Sequence, residues 1–125
     1  MIAISFNGQP QDIQSIEALG VALNDFDEQE QFELWVSVES GPSLCMLRDG
    51  GNAFLMYLRF SGDQGVVSLG DHTAKGTVRY MLANGQLDES PASWCIEKEQ
   101  CYKAIVYVYV NEGLKPEWIT WHAPE

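Results

Sequence analysis

The stretch 32–39, FELWVSVE, alternates cleanly between apolar and polar positions. Phe32, Leu34, Val36 and Val38 fall on one side; Glu33, Trp35, Ser37 and Glu39 fall on the other. A period of two is the mark of a half-buried β-strand. Nearer the N-terminus, IAISF alternates over its first residues and stops at NGQP, which reads as a short strand and a turn. Between the two the period changes. In DIQSIEALGVALNDF, Ile13, Ile16, Gly20 and Leu23 share one helical face, with Leu19 beside them. Asp12 stands where an N-cap carboxylate would meet free backbone N–H groups. The polar run NDFDEQEQ ends that helix and reads as an exposed loop.

After FELWVSVE, SGP turns the chain. SLCMLR and NAFLMYLRF read as two further strands joined by DGGN, whose glycines supply the positive φ that a hairpin needs. SGDQG is the next turn, followed by the strand VVSL. Beyond GDHTAKG comes TVRYML, and then the turn ANGQ. The middle of the chain is thus expected to be an antiparallel meander of about five strands.

Residues 101–121, CYKAIVYVYVNEGLKPEWITW, carry two conflicting signals. Ile105 to Val110 is entirely β-branched or aromatic, as in a central strand. Yet Cys101, Ala104, Ile105 and Val108 form an i, i+3, i+4, i+7 stripe. Acidic residues in EKEQ suit a helix N-terminus, Gly113 suits the residue after its end, and Pro116 blocks resumption. Burial against a sheet outweighs propensity differences of a few tenths of a kcal/mol per residue. A helix from Glu97 to Glu112 is therefore expected, with EWITW as a short closing strand. In that strand Trp118 and Trp121 would face opposite ways. One would be core and the other free to anchor an interface, unless both pack internally. The predicted order is strand, helix, meander, helix, strand. It describes one α+β domain over residues 1–125, a mostly antiparallel sheet with two helices on one face.

Composition adds one strong signal. Eighteen acidic residues against seven basic ones give a net charge of −11. Eight acids precede the first base, Arg48: Asp12, Glu17, Asp25, Asp27, Glu28, Glu30, Glu33 and Glu39. Such a field repels nucleic acid and anionic membranes and speeds the capture of a basic partner, although an acidic face also serves solubility alone. Seven scattered bases make no nucleic-acid stripe. No apolar run approaches the ~20 residues of a membrane span, and MIAISFNGQP lacks the features of a signal peptide, so a cytoplasmic location is expected. Cys45, Cys95 and Cys101 form no CxxC pair and read as reduced, buried thiols.

The chemistry-bearing types assemble poorly. GDHTAKGT places its lysine before the second glycine, unlike a phosphate loop. No serine sits in a GxSxG elbow. Asp27, Glu28 and Glu30 lack the spacing and glycine of an EF-hand. No metal or other cofactor is expected. Asp71–His72 is the one candidate acid–base pair, and it supports the alternative reading of a small cytoplasmic enzyme or ligand-binding domain.

CIEKEQCYKAIVYVYVNEGLKPEWITW resembles the C-terminal part of the Imm-one immunity family of bacterial polymorphic toxin systems. Members tend to end in an amphipathic helix, a glycine, a basic-proline step and a strand closing on tryptophan. Here these are Gly113, Lys115–Pro116 and Trp121. Upstream, the apolar and aromatic strand Ala53 to Phe60, a glycine-bearing turn, a second strand, ANGQ and Pro91 fit the same pattern. The helix departs from it in being far more β-branched. The resemblance covers most of the chain, most closely residues 52 to 122, and its motifs are structural.

It implies a non-enzymatic protein that binds and blocks a cognate toxin domain in a 1:1 complex. Several toxins paired with this family are nucleic-acid deaminases and others are nucleases. A toxin that grips nucleic acid needs a basic cleft, which an acidic inhibitor would complement. The expected contacts are the acidic loop with Asp25, Asp27, Glu28 and Glu30, the turns carrying Arg48, Asp49, Asp63, Asp71 and His72, and Trp35.

Overall fold

A computed structural model describes residues 2–124. The chain opens with β1 (Ile2–Phe6) and β2 (Gln9–Gln11), joined by the two-residue turn Asn7–Gly8, both residues with positive φ. Asparagine and glycine tolerate that conformation best, which is why NG closes a tight hairpin. Helix α1 (Ile16–Phe26) follows, then β3 (Gln31–Val38), β4 (Ser43–Asp49), β5 (Asn52–Leu58) and β6 (Val66–Ser68). Next come β7 (Thr77–Met81), β8 (Leu87–Pro91), a single 3-10 turn (Ala92–Trp94), helix α2 (Lys98–Val110) and β9 (Trp121–His122). Seven strands form one sheet in the order β2-β1-β3-β4-β5-β6-β9, and every pairing is antiparallel. The domain is α+β, as the pattern predicts, and both helices cover one face of this sheet.

Register explains the core. On β3, β4 and β5, Val36, Leu44 and Tyr57 lie side by side; so do Leu34, Met46 and Leu55, and then Phe32, Arg48 and Ala53. These rows face the helices. Leu19, Leu23 and Phe26 of α1 and Cys101, Ala104, Ile105 and Val108 of α2 close over them. Phe26 stacks on Phe6 of β1 with ring centroids 4.0 Å apart, which fixes the end of α1 over the N-terminal edge of the sheet. The α2 residues are the stripe that argued for a helix, and all four are fully buried. Burial on the sheet overrides the strand propensity of IVYVYV.

The other face is not left to solvent. Cys45, Leu47, Phe54 and Val67 on that side pack with Tyr80, and Trp35, Met56, Val78, Leu82 and Trp94 adjoin them. Here the structure corrects the meander. TVRYML does not extend the sheet: β7 pairs only with β8 in a separate ribbon, and the place beside β6 belongs to β9. The physical reason lies in SLCMLR and NAFLMY, which are apolar on both faces. A strand buried on both faces needs a cover on each. Tyr80 supplies much of it, fully buried and edge-on to Phe54 at 5.1 Å between ring centroids.

Three boundaries also differ. Ser15, not Asp12, caps α1: its Oγ accepts from the Ala18 N–H at 3.1 Å, while Asp12 accepts from Gln14. Glu112, not Gly113, takes the first left-handed position after α2, at φ 52°, and Gly113 then donates to the Val108 carbonyl. Such a bond ties off a helix end. Finally, only Trp121 and His122 of the C-terminal segment enter the sheet. Trp118 stays outside, 44% exposed, and Trp121 packs against the core, so the two are not both packed internally. Among the described residues no helix is long and apolar enough to cross a membrane.

Candidate functional site: the acidic end of the helix layer

Asp27 closes the C-terminus of α1 and organises its surroundings. Its Oδ1 accepts from the Tyr102 hydroxyl at 2.7 Å, from Lys98 Nζ at 3.1 Å and from Arg48 Nη1 at 3.0 Å. The same Arg48 nitrogen reaches the carbonyls of Asp27 and Gln29, and Arg48 Nε donates to the Gly50 carbonyl. One carboxylate thus ties α1, β4 and the first turns of α2 together. Arg48 is only 7% exposed and lies on the helix-facing side of β4, so it serves the interior and not the surface. This corrects the expectation of a turn residue at the surface; the one local signal for it is that Leu44, Met46 and Arg48 follow one another at the strand period.

The hydrogen bond from Tyr102, and then the Lys98 ammonium, hold the Asp27 carboxyl below its usual value. A carboxylate favoured in the folded state contributes stability above its unfolded pKa, and that stability is lost as pH falls through the lower folded value. Asp27→Asn is therefore expected to be less stable than the parent at pH 7. The gap should close as the pH drops below about 4, the ordinary aspartate range. Urea unfolding of both proteins from pH 7 to 2.5 measures this. A gap of constant size would mean that the charge of Asp27 is not what holds the three elements together.

Around this hub the exposed acids gather. Asp25, in the last turn of α1, and Glu28 and Glu30 on the loop beyond it are exposed; the helix runs through the buried Phe26, so the exposed loop starts later than NDFDEQEQ suggests. The bonds from Lys98 and Tyr102 to Asp27 bring the start of α2 alongside, with Glu97 and Glu99 exposed on it. A shallow cleft of about 630 Å³ runs between the helices, lined by Glu17, Gly20, Val21, Asp27, Glu99 and Tyr102 among others. In the sequence Glu97 and Glu99 stand only as helix-start acids. Nothing local signalled that α2 begins where α1 ends.

The remaining candidates scatter. Asp49 is half-buried and accepts from Gln31 Nε2 at 2.7 Å. Asp63 takes the backbone N–H and two guanidinium nitrogens of Arg59, each at 3.0 Å, and these bonds hold its carboxyl well below the usual range. Trp35 is half-buried on the ribbon side of the sheet, its indole N–H donating to Glu33 at 2.6 Å. The other Glu33 oxygen accepts from the Ala83 N–H, which pins the β7–β8 turn to β3. Asp71 and His72 are exposed, and Asp71 Oδ1 accepts from both the N–H and the hydroxyl of Thr73. That carboxylate closes a turn, a use that competes with orienting an imidazole. Among the described residues, no three His, Cys, Asp or Glu side chains group so as to hold a metal ion.

The basic residues complete the electrostatics. Arg48 and Lys98 pair with Asp27, Arg59 with Asp63, and Arg79 approaches Glu89 at 3.7 Å. Much of the scarce positive charge is turned toward the chain's own carboxylates. The acids at the helix ends therefore face outward with little compensation, a surface that attracts cationic partners over distances of about one Debye length. No protein-family model matches the sequence, and no curated protein matches it.

Proposed function

We propose that this protein is an immunity protein, acting in the cytoplasm of a toxin-producing bacterium. It binds a cognate toxin domain in a 1:1 complex and blocks the active site without catalysis of its own. The observation that carries this reading is the gathering of Asp25, Glu28, Glu30, Glu97 and Glu99 where the end of α1 meets the start of α2, with Glu17 farther along the cleft, while four of the seven bases pair with the chain's own carboxylates. A toxin that acts on nucleic acid, such as a deaminase, exposes a basic cleft. Carboxylates set on rigid helix ends can stand where phosphates would lie, and the opposed fields speed encounter. The resemblance of residues 52 to 122 to the Imm-one family points the same way.

The test is co-expression with the polypeptide encoded immediately upstream, tagged on that polypeptide alone. A stoichiometric complex that silences a toxic neighbour is expected. Neutralising Asp25, Glu28, Glu30, Glu97 and Glu99 together as amides should slow association at low salt by about tenfold or more, and the difference should fade at high salt. An unchanged association rate would remove this surface from the mechanism. A toxic neighbour that forms no complex would sink the immunity reading itself.

A further inference from the structure

The outer side of α2 poses a problem that the fold does not solve. Its inner stripe is satisfied by the sheet, yet Val106, Tyr107 and Val110 lie on a second stripe that continues from Glu99 and Lys103 at helical spacing. Val110 is 52% exposed, and Leu114 and Trp118, just beyond the helix, are 60% and 44% exposed. Valine is a poor helix former, and at Val110 burial within the domain returns little, while Val106 is half-buried and packs in part against the core. Lys103, Val106, Tyr107, Val110, Asn111 and Trp118 together line an open, apolar hollow of about 330 Å³.

The hollow is held in shape. The Trp118 ring stands edge-on to Tyr107 with centroids 5.1 Å apart and planes at 82°. Its indole N–H donates to Gln100 at 3.1 Å, and the Lys103 ammonium sits 5.9 Å from the ring centroid. A fixed aromatic wall beside exposed aliphatic side chains loses little entropy on binding, which is the character of an interface core.

We infer that the outer stripe of α2, with Leu114 and Trp118, is the apolar core of the interface with the toxin domain, and that the acidic helix ends form its rim. This rests on the immunity reading. Charge selects the occupant. A second copy would bring another −11 chain against this one, and around the hollow the exposed Glu99, Glu112 and Glu117 outnumber the exposed Lys103 and Lys115 on each copy. A basic protein surface presenting an aliphatic or aromatic anchor meets complementary charge at the same rim. The hollow alone is too small for a stable interface of about 800 Å² per partner, and the adjoining acidic cleft extends it along the same layer. Rim acids would then govern the rate of encounter, and the α2 stripe the rate of dissociation.

The experiment uses the co-expressed toxin polypeptide and two double variants of the full chain. Val110→Lys with Leu114→Lys changes two exposed positions and places positive charge on the proposed apolar core. Met81→Lys with Leu87→Lys alters exposed apolar positions on the ribbon across the sheet. The first pair should dissociate about a hundredfold faster with an unchanged thermal midpoint, and the ribbon pair should bind like the parent. A photo-cross-linking residue at position 110, in an otherwise unaltered chain, should couple to the toxin; one at position 87 should not. Loss of binding in the ribbon pair alone, with cross-linking from position 87, overturns the inference and leaves the immunity reading standing. Self-association of the parent chain that the first pair abolishes overturns the assignment in favour of a second copy. A parent chain that fails to bind its toxic neighbour overturns both.

Discussion

Gly70→Ala is expected to lose about 3 kcal/mol of stability, because the new methyl has nowhere to go. A Cβ at this position would lie 1.8 Å from the Cys95 carbonyl oxygen and 3.0 Å from its carbonyl carbon. Both are backbone atoms, so no side-chain rotation relieves the collision. The segment in the way is also the one that fastens the chain to the sheet. The Gly70 N–H donates to Ser93 at 2.8 Å, and the Ile96 N–H donates to Ala53 at 2.9 Å. Ser68 is fully buried; its hydroxyl accepts from the Leu55 N–H at 3.0 Å and donates to the Trp94 carbonyl at 2.8 Å. Pushing residues 93–96 outward stretches this whole set at once, and each buried polar group left unpaired costs about 1–3 kcal/mol. For a domain of this size the thermal midpoint should fall by about 10 °C. Gly51→Ala is the control, since a Cβ there meets nothing within 4 Å. Thermal unfolding of the two variants side by side tests the claim. Equal midpoints would mean that the 93–96 segment yields freely and is not a fixed part of the core.

Arg48→Met carries the second large effect, about 3 kcal/mol, because it removes a nearly buried guanidinium and leaves the backbone carbonyls it serves without their donor. The guanidinium serves three carbonyls and one carboxylate from a position only 7% exposed. Methionine fills much of the same space and satisfies none of them. Asp27 keeps Lys98 and Tyr102, so the loss should fall mainly on the Asp27, Gln29 and Gly50 carbonyls and on the docking of the loop that follows α1. Arg48→Lys should lie between the parent and methionine, since an ammonium retains charge but not the planar fork. Urea unfolding ranks the three proteins. If Arg48→Met were as stable as the parent but bound the toxin poorly, Arg48 would act at the surface after all, and the buried network would carry little energy.

The difference between Arg48 and Asp25 shows what sequence can and cannot convey about a charged residue. Both read as surface charges in turns. Asp25 is a surface charge, although in the last turn of α1, because that helix turns the position outward. Arg48 is not, because it occupies the core-facing step of β4 and meets a carboxylate presented from residues far away in the chain. Asp63 and Glu33 repeat the lesson. Each looks available in the sequence and is occupied by a hydrogen-bond partner in the fold. Trp35 was expected opposite the apolar stripe, and it is there, but the β7–β8 ribbon crosses that face and half-covers it.

Local pattern determined the elements. The period of two in FELWVSVE, the turns NG and DGGN, and the i, i+3, i+4, i+7 stripe in α2 each specify a conformation through neighbours a few residues away. They were sufficient for strands β3 to β6, for both helices and for the α+β class. They were also sufficient for the acidic character of the molecule, since net charge needs no geometry. Tertiary structure alone decided which elements meet. It paired β9 with β6, sent β7 and β8 across the second face, and brought the start of α2 to the end of α1. The reason is that these choices depend on which apolar surfaces remain uncovered once the central strands have paired, a property of the assembled sheet and not of any window of sequence. The candidate surface is of the same kind. Its carboxylates and its exposed valines can be read along the chain, but their convergence on one layer exists only after folding.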